Sequence, residues 1–258
     1  MPRVREAPFS PKTRRLVYDG AMSEAKRPPR RIGILGGMGP AAAIDLQAKV
    51  LAATPAAEDR EHLPVVAWNV PQVPDRVAAV LGRGPSPLPA MIEGARALEA
   101  AGCEAFAVAC NTAHYWAAEL AGSVRIPLLH IADCAVEALA RRPVPPMRVG
   151  LLATRGTLAA AFYGERLARR GFEWIVPTDD EQDRLVAGAI ARVKAGDAAG
   201  ARAPFEAAAG ALAGRGADVI LLACTELPIA AEGARCPVPL LDASRALAEA
   251  LVDFSLRR

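Results

Sequence analysis

The sequence predicts an α/β fold: two similar Rossmann-like domains with mostly parallel sheets, related by a pseudo-twofold axis, with an active-site cleft between them. Three observations lead there. Short apolar runs alternate with Ala-, Leu-, Glu- and Arg-rich segments of helical spacing, the pattern of strand–helix units. That pattern occurs twice. Arg31-Ile32-Gly33-Ile34-Leu35-Gly36 resembles Arg148-Val149-Gly150-Leu151-Leu152-Ala153, 117 residues later. Ala105-Phe106-Ala107-Val108-Ala109-Cys110-Asn111-Thr112 resembles Val219-Ile220-Leu221-Leu222-Ala223-Cys224-Thr225, with the cysteines 114 apart. Ile126-Pro127-Leu128-Leu129-His130 resembles Val238-Pro239-Leu240-Leu241-Asp242, 112 apart. Three matches in the same order at nearly one offset describe a duplication. Finally, alanine makes up about a fifth of the 258 residues and aromatics only 5%, which suits small-residue helices packed on a sheet better than a β-sandwich.

Taken in order, the expected strands are 31–36, 64–70, 105–109 and 126–130 in the first unit, and 148–153, 173–177, 218–223 and 238–242 in the second. Each is a short apolar run, which reads as a buried parallel strand. Helices fill the gaps, among them Leu88–Ala101 and Ala201–Arg215, with Gly102 and Gly214 closing them ahead of the next strand. The expected partition is a flexible N-terminal extension over 1–30, a first domain over 31–127 plus 239–258, and a second over 128–238. The extension is basic and Pro-containing and lacks the continuous apolar stretch of a secretion signal; Met22 is an alternative start.

Composition narrows the function classes. Apolar types at 52% with charged types at 23% provide a packed core. A net charge of +3 is too small for a polyanion-binding surface, so no nucleic-acid partner is expected. No run of 18 apolar residues occurs, so no membrane partner is expected. Five cysteines, an odd number without a C-x-x-C pair, indicate free thiols in a reducing, cytoplasmic setting. The three histidines are too scattered for a zinc signature, and no metal site is expected.

The first strand runs into Gly36-Gly37-Met38-Gly39-Pro40-Ala41-Ala42, where Gly37, Gly39 and Ala42 satisfy G-x-G-x-x-A. A dinucleotide site also wants an acid at the end of the second strand, and Ala67-Trp68-Asn69-Val70 offers none. Gly37, Met38 and Gly39 therefore read as a backbone loop facing an anion or substrate, or simply as a tight strand-to-helix turn. NAD is not expected.

Cys110 and Cys224 each stand where a strand ends and a helix should begin, at equivalent points of the duplicated unit. One such cysteine reads as a small buried hydrophobe. Two related by a pseudo-twofold axis face each other across the cleft, and a helix N-terminus would lower each thiol's pKa toward neutrality. Opposed acid/base groups suit racemisation, in which one residue removes a proton from one face of a carbon while its partner delivers another to the opposite face. Cys103, Cys134 and Cys236 read as structural, and His114 as a candidate support for the thiol site.

The combination resembles the aspartate/glutamate racemase family, its aspartate racemase branch most closely. The residues that carry the resemblance are Ile32–Pro40, Pro71-Gln72-Val73-Pro74-Asp75-Arg76, Cys110-Asn111-Thr112-Ala113-His114, Leu151-Leu152-Ala153-Thr154, Pro177-Thr178-Asp179-Asp180-Glu181-Gln182, Val193-Lys194-Ala195-Gly196 and Cys224-Thr225-Glu226. The resemblance implies a cofactor-independent racemase of small acidic amino acids, usually a homodimer, with Cys110 and Cys224 as the two proton carriers. It implies carboxylate binding by Arg76 and Lys194, which by themselves read as solvated surface charges. It implies substrate contacts from Asn111, Thr112 and Ala113, and from Thr154 and Thr225. Two cations suit a dicarboxylate: a guanidinium fork and a point charge.

The chain departs from the family pattern at Arg155, which follows Thr154 where small polar residues are common. Pointing inward it would alter specificity; pointing outward it would not. Cys-Thr-Glu, in place of the Cys-Thr-His of glutamate racemases, and the Gly-Gly-Met-Gly-Pro opening both weigh against that branch. A racemase or isomerase of another amino acid or dicarboxylate, and a non-catalytic amino-acid-binding protein, are the alternatives on the same fold.

Overall fold

The computed structural model describes residues 28–257. The expectations placed on residues 1–27, including Met22 as an alternative start, lie outside the described residues.

Two four-stranded parallel sheets form the frame. The first contains β1 (Ile32–Leu35), β2 (Val65–Trp68), β3 (Ala105–Val108) and β4 (Leu128–Leu129), in the order β2-β1-β3-β4. The second contains β5 (Arg148–Ala153), β6 (Glu173–Ile175), β7 (Val219–Ala223) and β8 (Leu240–Asp242), in the order β6-β5-β7-β8. The two orders are the same, so the sequence duplication is also a duplication of topology. Equivalent registers carry it: Ile32 pairs with Ala105 as Val149 pairs with Val219.

In the first unit, α1 (Pro40–Ala53), α2 (Arg76–Val80), α3 (Leu88–Ala100) and α4 (Ala117–Gly122) connect the strands, and α5 (Ile131–Ala140) leads out of it. The second unit has α6 (Arg155–Ala159), α7 (Phe162–Arg169), α8 (Asp179–Glu181), α9 (Ala187–Lys194), α10 (Ala198–Gly214) and α11 (Leu227–Ala230), before α12 (Ala243–Leu256) returns to the first. Among the described residues no helix is long and apolar enough to cross a membrane.

Strand alternation divides the core into layers. Ile32, Ile34 and Ala107 of the first sheet and Val149, Leu151, Val219 and Leu221 of the second share one central cluster with α1, α5, α7 and α12. Their alternating neighbours face outward, with Leu35, Phe106 and Val108 packing under α3, and Leu152, Ile220 and Leu222 under α9 and α10. Phe106 is fully buried, a burial worth about 2 kcal/mol. The two units are therefore joined by a continuous core. Lys49, 9% exposed, ties them further: its Nζ on α1 bonds Asp45 and, at 2.7 Å, Asp242 Oδ2. Asp242 Oδ1 in turn caps α12.

Three local expectations need correction. The edge strands β2 and β6 are not buried, since Val65, Ala67, Glu173 and Trp174 are exposed, a sheet edge having helix cover on too little of its surface. Gly102 (φ +78°) closes α3 as expected, with Cys103 N–H donating to Leu98 O at 3.1 Å. In the second unit the closing glycine is Gly216 (φ +88°) instead of Gly214, because the matching bond runs from Ala217 N–H to Leu212 O at 3.1 Å and the left-handed residue must precede that donor. Finally, β4 and β8 begin just past the expected boundaries at 127/128 and 238/239, yet each hydrogen-bonds to the preceding sheet, β4 to β3 and β8 to β7.

Candidate active site

The strand order brings the carboxyl ends of β1, β3, β5 and β7 to one place, as open parallel sheets require of a ligand site. There Met38, Asp75, Arg76, Val77, Cys110, Asn111, Thr112, Thr154, Lys194, Cys224, Thr225 and Glu226 line one cleft. Its free space is about 20 Å³, room for a single water. An amino acid enters only if the walls part.

Glycines make the approach tight. Gly37 has φ +88°, and a Cβ there would lie 2.0 Å from Val70 O. A Cβ on Gly36 would lie 2.5 Å from that of Ala43. No side chain fits at either position, and this is what lets β1 turn straight into α1. Of the expected anion loop, Met38 reaches the cleft. Gly37 packs against Val70, and a Cβ on Gly39 would stand 3.3 Å from Glu226 Oε1.

Cys110 and Cys224 occupy equivalent positions, two residues beyond Val108 and one beyond Ala223, and are 6% and 4% exposed. The expected lowering of their pKa values is reversed. Burial raises the Cys110 thiol, opposed by Arg76, the Ala113 N–H bonded to the sulfur, and Lys194, and reinforced by Glu226. Burial also raises Cys224 well above the usual thiol range, reinforced by Glu226. The helix-terminus argument fails because no long helix starts here. Cys110 precedes a 3-10 turn (Thr112–Trp116), and Cys224 the four-residue α11. Such short elements carry little dipole to set against full desolvation.

Glu226, 4% exposed, lines the cleft with Asp75 and Val77, three residues to which sequence reasoning gave no role in the site. Its Oε2 accepts from the Cys224 thiol at 3.1 Å and from Thr225 Oγ1 at 3.2 Å. The signal was its place in Cys-Thr-Glu; what the sequence lacked was the inward turn of the side chain.

Arg76 is the first residue of α2, whose N-cap Asp75 accepts from Ala78 N–H at 2.6 Å. Its Nη1 donates to Val73 O and Pro74 O, at 3.2 and 3.0 Å, whereas Nε is buried without a partner among the described residues. Lys194 ends α9 and makes no ion pair among the described residues. Thr112, Thr154 and Thr157 form a triangle of hydroxyls at 2.9–3.0 Å that joins the two units across the cleft. Ala113, expected to touch substrate, is wholly buried and is not among the residues that line the cleft.

Arg155 points away from the cleft, with Nε on Asp183 Oδ1 at 2.7 Å and Nη1 on Asp179 Oδ1 at 2.9 Å. His114 acts on the backbone: Nδ1 donates to Cys110 O at 2.9 Å and Nε2 accepts from Ile131 N–H at 3.3 Å. Burial lowers its pKa to about 4, so the ring is neutral and braces the turn that carries Cys110.

Residues 35–251 match the family described as Asp/Glu/Hydantoin racemase. The fold is similar to that of the Picrophilus torridus aspartate racemase, with a TM-score of 0.79, 31% identity, and coverage of 89% of this chain and 95% of that one. The glutamate racemase isoform RacE1 from Bacillus anthracis shares the fold, with a TM-score of 0.63 at 19% identity over 86% of this chain and 80% of that one. In sequence, the chain is 28% identical to the broad specificity amino-acid racemase RacX of Bacillus subtilis, over 87% of this chain and 98% of that protein. Paired strand-end cysteines in one cleft, a duplicated parallel topology and a match over most of the chain agree: this chain belongs to the Asp/Glu/Hydantoin racemase family.

Proposed function

We propose that the chain is a cofactor-independent racemase that interconverts L- and D-aspartate, or a closely related acidic amino acid, by two-base proton transfer. The observation that carries this reading is that Cys110 and Cys224, from equivalent strand ends, line one narrow cleft together with Arg76 and Lys194.

The chemistry follows from these groups. Among the described residues Arg76 Nε has no hydrogen-bond partner and Lys194 no ion pair; the first suits one carboxylate and the second the other. Cys110 as thiolate takes the α-proton, forming an S–H bond, and the Cα–H electron pair passes to Cα and its carboxylate. Cys224 gives its S–H proton to the opposite face and is left as thiolate. One proton enters, one leaves, and nothing is oxidised or reduced. The two thiols start unequal. Arg76 favours thiolate at Cys110, whereas Glu226 accepts the Cys224 proton and holds it there. Closure around the substrate excludes water and strengthens the fixed donors that stabilise the carbanion.

The test is to incubate the protein with L- and D-aspartate in D2O without added cofactor, following α-deuteration and optical purity. Failure to exchange aspartate, glutamate or any of a panel of amino acids removes the racemase reading; aspartate binding without exchange points to a binding protein. The two-base assignment fails if Cys110→Ser or Cys224→Ser keeps full racemisation in both directions. The similarity to RacX favours a second reading, a wider substrate range. Faster turnover of a neutral amino acid than of aspartate at equal concentration would establish it.

A further inference from the structure

The amide of Asn111 is used unequally. The residue lies in the cleft wall and is 2% exposed. Its Oδ1 accepts from the Tyr163 hydroxyl at 2.5 Å, while Nδ2 is buried with no partner among the described residues. Tyr163 comes from α7 of the second unit, 52 residues away, and is 1% exposed. We propose that Tyr163 is a positioning residue, whose hydroxyl locks the Asn111 amide so that its N–H donors face the cleft and receive a carboxylate of the substrate. The identity of that ligand rests on the racemase reading above.

The orientation follows from counting donors and acceptors. A phenol has one proton, and Asn111 Oδ1 is its acceptor. Turning the amide over would leave the phenolic proton and Oδ1 both buried and unpaired, and would present an acceptor to an anionic ligand. As found, one group is left wanting, the Nδ2 donor, and a ligand supplies its partner. Burial raises the Tyr163 pKa well above that of a free phenol, so the hydroxyl stays a donor throughout the range in which an enzyme works. Its ring packs on Phe162 with centroids 5.2 Å apart, which holds the hydroxyl in place. Arg76 supplies a second buried, unpartnered donor on the same cleft. Two such donors call for an acceptor with several lone pairs, which a carboxylate provides.

A binding cycle tests this in protein carrying Cys110→Ser and Cys224→Ser, where turnover does not interfere. L-Aspartate affinity is measured by calorimetry for this parent, for Tyr163→Phe, for Asn111→Ala and for both together, with a thermal melt of each. Tyr163→Phe and Asn111→Ala should each weaken binding about tenfold, and Tyr163→Phe should add less than about twofold once Asn111 is alanine. The assignment is overturned if Tyr163→Phe binds like the parent, if its effect persists undiminished beside Asn111→Ala, or if the parent binds no aspartate. Asn111→Asp serves if Tyr163→Phe does not fold. Held by Tyr163, the new carboxylate would face the ligand's own, so binding should be at least about tenfold weaker than for Asn111→Ala; equal binding overturns the proposal. The two readings fail separately: wild-type protein that exchanges no α-proton removes the racemase, whereas an uncoupled cycle removes only Tyr163.

Discussion

Replacing Arg76 by lysine keeps a positive charge at the cleft and removes the guanidinium fork. Nη1 is already spent on Val73 O and Pro74 O, so the ligand-facing capacity lies on the edge carrying the unpartnered Nε. A lysine ammonium cannot hold the loop carbonyls and also offer two parallel donors to a carboxylate. The loss of one charge-assisted hydrogen bond is worth about 1.5–3 kcal/mol, or roughly 10–150-fold in kcat/KM. The effect should fall mainly on KM, because the charge beside Cys110 remains. Arg76→Ala should behave differently. Arg76 is the strongest influence holding the Cys110 thiol down, so its removal raises that thiol further. Activity requires the thiolate, which forms as pH rises through the thiol pKa. A higher pKa therefore moves the ascending limb of kcat/KM to more alkaline pH, and kcat falls at neutral pH. Initial racemisation rates for L-aspartate over a range of concentration and pH decide the matter. Arg76→Lys within twofold of wild type, or Arg76→Ala with an unmoved ascending limb, would refute the assignment.

Glu226→Gln removes a negative charge and a proton acceptor from the Cys224 thiol. Its pKa should fall, and in a Cys110→Ser background iodoacetamide should alkylate Cys224 faster at a given neutral pH; an unchanged or slower rate would contradict the contact. Lys49→Met leaves Asp45 and Asp242 facing each other on a buried joint, a loss of about 3–5 kcal/mol in urea unfolding at neutral pH. Burial already raises the Asp45 carboxyl in the folded chain, so the fold favours its protonated form. The deficit should therefore shrink as pH falls through that raised pKa, and a deficit that grows toward acid would count against this account.

Much of the architecture was legible in the residues because it is encoded locally. Apolar runs of strand length, the Gly36-Gly37 turn and the repeated Ala-Cys-Asn-Thr and Ala-Cys-Thr stretches all act within a few positions of themselves. Each appears in the fold where it was expected, as β1, β3, β5 and β7 with their following turns. The edge strands and Gly214 were misread because pattern alone does not say which strand ends a sheet, nor which of two nearby glycines turns left-handed.

The chemistry of the cleft was less accessible, for a different reason. A strand end followed by small polar residues announces a thiol but not its acidity, which depends on how completely the packed chain covers it. Full burial outweighs a short helix terminus, and the thiols move upward. Glu226 lay in plain view beside Cys224, yet its inward turn depends on what packs around it. Whether Arg155 enters the site is decided by Asp179 and Asp183, 24 and 28 residues on, which hold it outside. The Tyr163–Asn111 bond and the threonine triangle join the halves of a duplicated chain, and no spacing within either half specifies them. Local pattern thus set the strands, their order of appearance and the two cysteines. Desolvation and long-range pairing, which exist only once the chain is folded, set the charge state and the aim of the groups around them.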